Sequence, residues 1–247
     1  MKELPTAAAG NGSGEPAPHQ VASARLIMTL AFAGALAGLV IVLVFGWAEP
    51  QIQAHRAAAL RAAVNEVLSD PASYRSVYVT ESGLSDAPPV GADTVNAEKV
   101  FLGFDAAGTP VGYAITGAEP GYQDLIQLIF GYDPATQSLL GMKVLESKET
   151  PGLGDKIYKD MDFVTGFEGV ETPIVGVKQG AGTGADDEVD MITGATISSR
   201  TVIAIINHRV EALGSDLEEH AATAPRAPAS PDPASVEQPV EGGVEGS

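Results

Sequence analysis

Cysteine is absent from the 247 residues. That excludes thiolate-held iron–sulfur clusters, zinc knuckles and c-type haem attachment, all of which need cysteine sulfur. Histidine is scarce: His19, His55, His208 and His220 are scattered along the chain, with no paired spacing that would hold a metal. Cations are few as well, with 14 Lys and Arg against 32 Asp and Glu and a formal net charge of −18. A nucleic acid is therefore excluded as a partner, because binding there rests on neutralising phosphates. An anionic membrane surface would repel most of the chain for the same reason. If such a chain moves electrons, an organic cofactor must carry them.

One long apolar run stands out. Leu26–Trp47, LIMTLAFAGALAGLVIVLVFGW, contains no charged residue, and Thr29 is its only clearly polar member. A helix of that length reaches about 33 Å, enough to cross a hydrocarbon core of about 30 Å. A cleaved signal peptide has a shorter apolar stretch and a small-residue site soon after it, and neither is found here. The run reads as an uncleaved anchor with Trp47 at one interface. Arg25 abuts its start, which favours the short N-terminal arm on the inside, although the count of Lys and Arg on the two sides does not decide orientation. Gly34 and Gly38 have the small-xxx-small spacing that allows close helix–helix approach in a membrane.

The remaining chain divides by composition. Residues 1–24, rich in Ala, Gly, Pro and Ser, read as a disordered arm, 25–47 as the transmembrane helix, 48–214 as a folded extramembrane domain and 215–247 as an acidic disordered tail. Leu60, Val64 and Leu68 recur at helical spacing before Asp70-Pro71, so a helix follows the membrane segment. Five short β-prone runs come next: 74–79, 99–105, 110–117, 125–133 and 138–146. Turn residues at 105–108 and 133–136 join them into two antiparallel hairpins of one sheet. The stretches 147–157 and 178–190 carry too much Gly, Pro or acid for regular structure and read as loops. Val202, Ile206, Val210 and Leu213 then mark one face of a helix that begins at Ser198 and stops at Gly214. The fold class is α+β: a single N-terminal membrane helix, then a domain with a mainly antiparallel sheet and flanking helices.

The chemistry gathers at Asp190–Thr196, DMITGAT. Its plain interpretation is a turn at Gly194 and a helix cap from Thr196 or Ser198. The same geometry admits a second one. A helix N-terminus offers free backbone N–H groups and partial positive charge, a seat for phosphate, and a hydroxyl there could bind that phosphate or be esterified to it. Threonine does not attack unaided near neutral pH, so esterification requires an outside enzyme. The acids Asp186, Asp187, Glu188 and Asp190 lack the oxygen-ligand spacing of an EF-hand and read as a solvated loop, not a metal site.

DMITGAT resembles the Asp-x-x-Ser/Thr-Gly-Ala-Thr motif of flavinylated FMN-binding domains. Upstream, Lys148–Ile157, KETPGLGDKI, resembles a segment of the G subunit of the Rnf ion-translocating oxidoreductase. The C subunit of the sodium-pumping NADH:quinone reductase is related, but the trailing Asp-Lys-Ile is closer to the Rnf form. The resemblance covers roughly residues 25–214, and the two motifs come in the same order. The segment 121–124 departs from it, being poorer in glycine than in relatives.

The resemblance implies FMN joined to Thr196 through a phosphoester, with Thr193, Gly194 and Ala195 around the attachment. It implies that Glu149, Thr150, Gly152, Leu153 and Gly154 lie near the flavin. Asp190 and Gly194 would be recognised by the flavin transferase, which makes the bond from FAD outside the cytoplasm with a divalent metal. The protein would then be an electron-carrier subunit among other membrane and redox subunits of a translocase in the bacterial inner membrane, its domain on the periplasmic or extracellular side. Such a complex couples ferredoxin/NAD redox chemistry to sodium or proton movement. The flavin would perform the chemistry, with no catalytic side chain, no resident metal and no stand-alone substrate turnover. Two other assignments keep the flavin: a counterpart of the C subunit of the quinone reductase, or a solitary carrier. A membrane-anchored scaffold without flavin is the alternative of another class.

Overall fold

The structure is a computed structural model that describes residues 23–88 and 97–224. Residues 1–22 of the expected arm and 225–247 of the expected tail lie outside the described residues. The chain divides into two compact units, Met1–His55 and Arg56–Ser247. Helix α1, Ser23–Val67, runs through both and contains Pro50. In the first unit its side chains from Leu26 to Phe45 are largely exposed, and it is the one helix among the described residues long and apolar enough to cross a membrane. In the second unit the end of α1 is amphipathic. Ala63, Val64, Val67 and the following Leu68 are buried, as the four-residue spacing predicts.

Six antiparallel strands form one sheet in the order β2-β1-β3-β4-β5-β6. They are β1 (Ser73–Thr80), β2 (Gly83–Ser85), β3 (Lys99–Phe104), β4 (Pro110–Pro120), β5 (Leu125–Asp133) and β6 (Ser138–Ser147). The five runs expected from sequence are β1 and β3–β6, and β3–β4 and β5–β6 are the two expected hairpins. Because side chains alternate across a strand, β3 and β5 bury both faces. Leu102, Phe104, Leu128 and Phe130 join the larger core with helix α4 (Thr196–Thr223), while Phe101 and Ile129 pack with Val64 and Val67 of α1. Lys143 of β6 also pairs with Glu66 of α1.

Between β6 and the last helix the chain is more ordered than its composition predicts. Two short helices, α2 (Lys156–Lys159) and α3 (Met161–Thr165), follow the first glycine-rich loop. Strands β7 (Val175–Lys178) and β8 (Glu188–Met191) pair in parallel, placing Val177 opposite Asp190. Part of the expected 178–190 loop is thus strand. The acidic residue Glu188 accepts hydrogen bonds from the Thr183 hydroxyl (2.9 Å) and the Gly184 N–H (3.1 Å), so it folds the loop onto itself.

The extent of α4 corrects the expected stop at Gly214 and the placement of 215–223 in the tail. Leu213 and Leu217 continue the buried face, and Gly214 sits inside the helix. Helix-compatible packing overrides the glycine here because burial of Leu217 outweighs a glycine penalty of about 1 kcal/mol. The extension is also tied to β4. Burial pushes the Tyr113 hydroxyl far above its usual range, so it stays protonated, and it is hydrogen-bonded to Nδ1 of His220 (2.8 Å). The other ring nitrogen faces Asp86 at 3.5 Å. Leu217→Ala is therefore expected to destabilise the domain by about 2 kcal/mol, read as a shift in the denaturant midpoint. A tail residue at that position would give no shift.

Candidate functional site

The two motifs lie 40 or so residues apart in sequence and meet in space. Gly194 turns the chain with φ +85°, a left-handed conformation that favours glycine. A Cβ there would meet only Leu153 Cδ2, at 3.9 Å, so the turn is open on the side that faces the upstream loop. Ala195 then precedes α4 with no side-chain hydrogen bond capping the helix. This overturns the expectation that Thr196 or Ser198 is the cap. Thr196 is instead the first helical residue, and its side chain is exposed. The N–H groups of the first turn have no carbonyl partner within the helix, as at any helix start, and among the described residues no side-chain oxygen takes their place.

Four hydroxyls lie in this stretch, and the structure separates them. Ser198 and Ser199 are buried, at 2 % and 0 % exposure. Ser199 donates to the Ala195 carbonyl (3.0 Å) and accepts from the Ile192 N–H (3.2 Å). Thr193 is exposed but donates to Gln179 Oε1 (3.2 Å). Only Thr196 combines exposure with a place on the uncapped turn.

The 149–155 loop stands against this turn. Gly152 has φ +80° with open space around it, and its N–H donates to Asp155 Oδ1 (2.8 Å). Lys159 donates to the other Asp155 oxygen (2.6 Å), a hydrogen bond that holds the Asp155 carboxyl below the usual carboxylate range. Leu153 and Ile197, both 51 % exposed, are apolar side chains at the open face. The Thr150 hydroxyl donates to Gln123 Oε1 (2.7 Å), tying the loop to the β4–β5 turn.

Glu149 faces inward. Its Oε1 accepts from the N–H groups of Gln123 (3.0 Å) and Asp124 (3.4 Å), and its Oε2 accepts from the Ser198 hydroxyl (2.7 Å). Burial alone would push its carboxyl up. The hydrogen bonds from Gln123, Ser198 and Asp124 together outweigh burial and hold it below its ordinary value of 4.5. The folded state thus binds this proton less readily than the unfolded chain. The associated stability is present above pH 4.5 and is lost as pH falls through the lowered value. Acidification below that point is expected to lower the melting temperature of the wild type, and Glu149→Gln to remove this part of the pH dependence.

Asp190 lies elsewhere. It accepts from the Gly180 N–H (3.3 Å) and lines a cleft of about 630 Å³ with Asp160, Asp162 and Glu188. Thr193, Gly194 and Thr196 do not line that cleft. Sequence reasoning missed Ser198, Gln123 and Gly121 as part of the site. The signal was there for Ser198: it precedes Val202 by four positions on the buried face, and a hydroxyl at such a place needs a partner.

A family model for the FMN-binding domain matches residues 121–211, which hold both motifs and the Gly121–Asp124 turn. The chain is 31% identical over 196 residues to the G subunit of the ion-translocating oxidoreductase complex of Vibrio parahaemolyticus, covering 78% of this chain and 90% of that protein. The corresponding protein of Methanosarcina acetivorans is 28% identical over 187 residues, covering 76% and 92%. The chain belongs to the G-subunit family of ion-translocating oxidoreductase complexes. In fold this member of the family is similar to Shewanella oneidensis NqrC, with a TM-score of 0.54 and 17% identity over 67% of this chain and 99% of that one.

The site residues fit an FMN phosphate. A donor-rich helix start, a glycine turn with open space and an exposed hydroxyl stand together, beside apolar side chains that suit a planar ring.

Proposed function

We propose that this chain is the membrane-anchored flavoprotein subunit of an Rnf-type complex and that Thr196 carries its FMN covalently. The observation that carries the reading is the exposed Thr196 hydroxyl on the uncapped first turn of α4. A flavin transferase delivers FMN from FAD. Attachment would form a phosphorus–oxygen bond to Thr196 Oγ1 and break the pyrophosphate bond of FAD, with AMP leaving and the hydroxyl proton passing to a base of the transferase. The free N–H groups of α4 would hold the phosphate charge. Thr150, Gly152 and Leu153 would form the wall next to the flavin, with Leu153 supplying apolar contact and Gly152 allowing close backbone approach, while Glu149 and Gly154 stand behind it with the carboxylate turned to the core.

Bound there, FMN supplies electron-carrying chemistry between redox centres of partner subunits, and the protein holds and shields it. The apolar part of α1 anchors the protein in the bacterial inner membrane, and the domain lies on the periplasmic or extracellular side, where the transferase works. Asp190 belongs to the surface that the transferase reads. The test is ultraviolet fluorescence of the full-length protein on a denaturing gel after co-expression with a flavin transferase. A fluorescent band is expected, and its absence overturns the reading.

A further inference from the structure

The carboxylate of Glu149 joins three segments that are far apart in sequence. It is held by Gln123 and Asp124 of the β4–β5 turn, it opens the 149–155 loop, and it receives the Ser198 hydroxyl of α4. The socket around it is tight. A Cβ on Gly121 would collide with Glu149 Oε1, and one on Gly154 would come within 2.5 Å of Oε2 and 2.9 Å of Ser198 Oγ. Both glycines are required by the space the carboxylate fills.

Ser198 follows Thr196 by two residues in the same turn. Successive helical residues are rotated by about 100°, so the two side chains leave the helix on nearly opposite sides. Holding Ser198 inward therefore holds Thr196 outward. The first turn of a helix frays readily, and α4 lacks the side-chain cap that usually restrains it. A cap would also occupy N–H groups that an arriving phosphate needs. The Glu149–Ser198 bond restrains the turn through a side chain and leaves those N–H groups free.

We propose that Glu149 is a positioning residue for flavin attachment, bracing the first turn of α4 through Ser198 so that the Thr196 hydroxyl is presented to the transferase. This rests on Thr196 being the acceptor. Glu149 acts through Ser198 and touches neither the acceptor hydroxyl nor any proton that is transferred.

The test follows flavin loading of the full-length protein by a flavin transferase with FAD and a divalent metal, as a function of acceptor concentration. Ser198→Ala and Glu149→Ala are expected to lower kcat by on the order of 100-fold, the scale of a displaced reacting group, with KM for the acceptor little changed. Glu149→Gln keeps the shape: its oxygen can accept from Gln123 and Asp124 and its amide can donate to the Ser198 oxygen, so it should restore most of the rate. Folded variants that load at the wild-type kcat, or that change only KM, overturn the proposal. Should Glu149→Ala fail to fold, Ser198→Ala decides, because there the carboxylate keeps its two N–H donors.

A second measurement needs no flavin. In the unloaded protein, Ser198→Ala should speed amide exchange at Ser199 by about tenfold, since its N–H closes the first turn of α4 on the Ala195 carbonyl and is exposed when the turn frays. Unchanged protection overturns the brace. The acceptor reading fails on a different variant, by covalent flavin persisting in Thr196→Ala, so the two failures are told apart.

Discussion

Thr196→Ala is expected to abolish covalent flavin completely while leaving the domain folded. The hydroxyl is the only atom whose chemistry the attachment uses, and alanine has none. Position 196 is exposed at the first helical residue, so the substitution should change stability by no more than about 0.5 kcal/mol. Loss of the fluorescent band with an unchanged melting temperature would therefore report chemistry and not unfolding. Thr196→Ser keeps the oxygen and should still load. The neighbouring hydroxyls cannot take over equally. Ser198 and Ser199 are buried, and Thr193 stands outside the helix with its hydrogen bond to Gln179. Thr193→Ala should thus weaken attachment at most. A fluorescent band in Thr196→Ala that disappears in the Thr193/Thr196 double variant would place the flavin on Thr193.

Gly131→Val should have the largest effect on folding. Gly131 lies in the middle of β5, beneath the end of α1, where a Cβ would collide with the Val67 carbonyl oxygen. The obstacle is backbone, so no side-chain rotation relieves it, and the α1 terminus must lift from the sheet. Overpacking of this kind costs about 3 kcal/mol or more, a large share of a total stability of about 5–15 kcal/mol. For a domain of this size the melting temperature should fall by roughly 10 °C. Gly141 provides the control. It pairs with Gly131 across β5 and β6, yet its Cβ would stand 3.7 Å from Val67 Cα, an ordinary contact. Gly141→Ala should melt close to the wild type. Equal losses in the two variants would show that strand propensity, and not the approach of α1, sets the need for glycine.

These two experiments address different levels of the molecule. The first concerns a hydroxyl that the fold presents, and the second the layer that makes the sheet rigid beneath α1. The brace at Glu149 connects them, since β5 follows directly from the Gly121–Asp124 turn that the carboxylate holds.

Much of this was legible in the residues because the responsible interactions are local. An uncharged run from Leu26 to Trp47 can lower its free energy as a helix in a membrane whatever lies around it. The five β-prone runs carried their own turns, and the hairpins β3–β4 and β5–β6 formed where those turns stood. The motif at 190–196 could be read as a helix start because glycine and a following apolar periodicity encode one directly.

The remaining features depend on residues brought together across long separations, which no local pattern specifies. The partners of Glu149 lie 25, 26 and 49 positions away, so whether its carboxylate faces solvent, flavin or core was undecided until the segments packed. The run of α4 past Gly214 was settled by burial of Leu217 and by Tyr113 reaching His220, contacts that outweigh a helix-weakening residue. Pairing of β7 with β8 turned part of an acidic loop into strand. The exposure of the hydroxyls likewise came from packing: the motif resemblance pointed to Thr196, and the way α4 sits on the sheet buried Ser198 and Ser199, engaged Thr193 with Gln179 and left Thr196 facing outward.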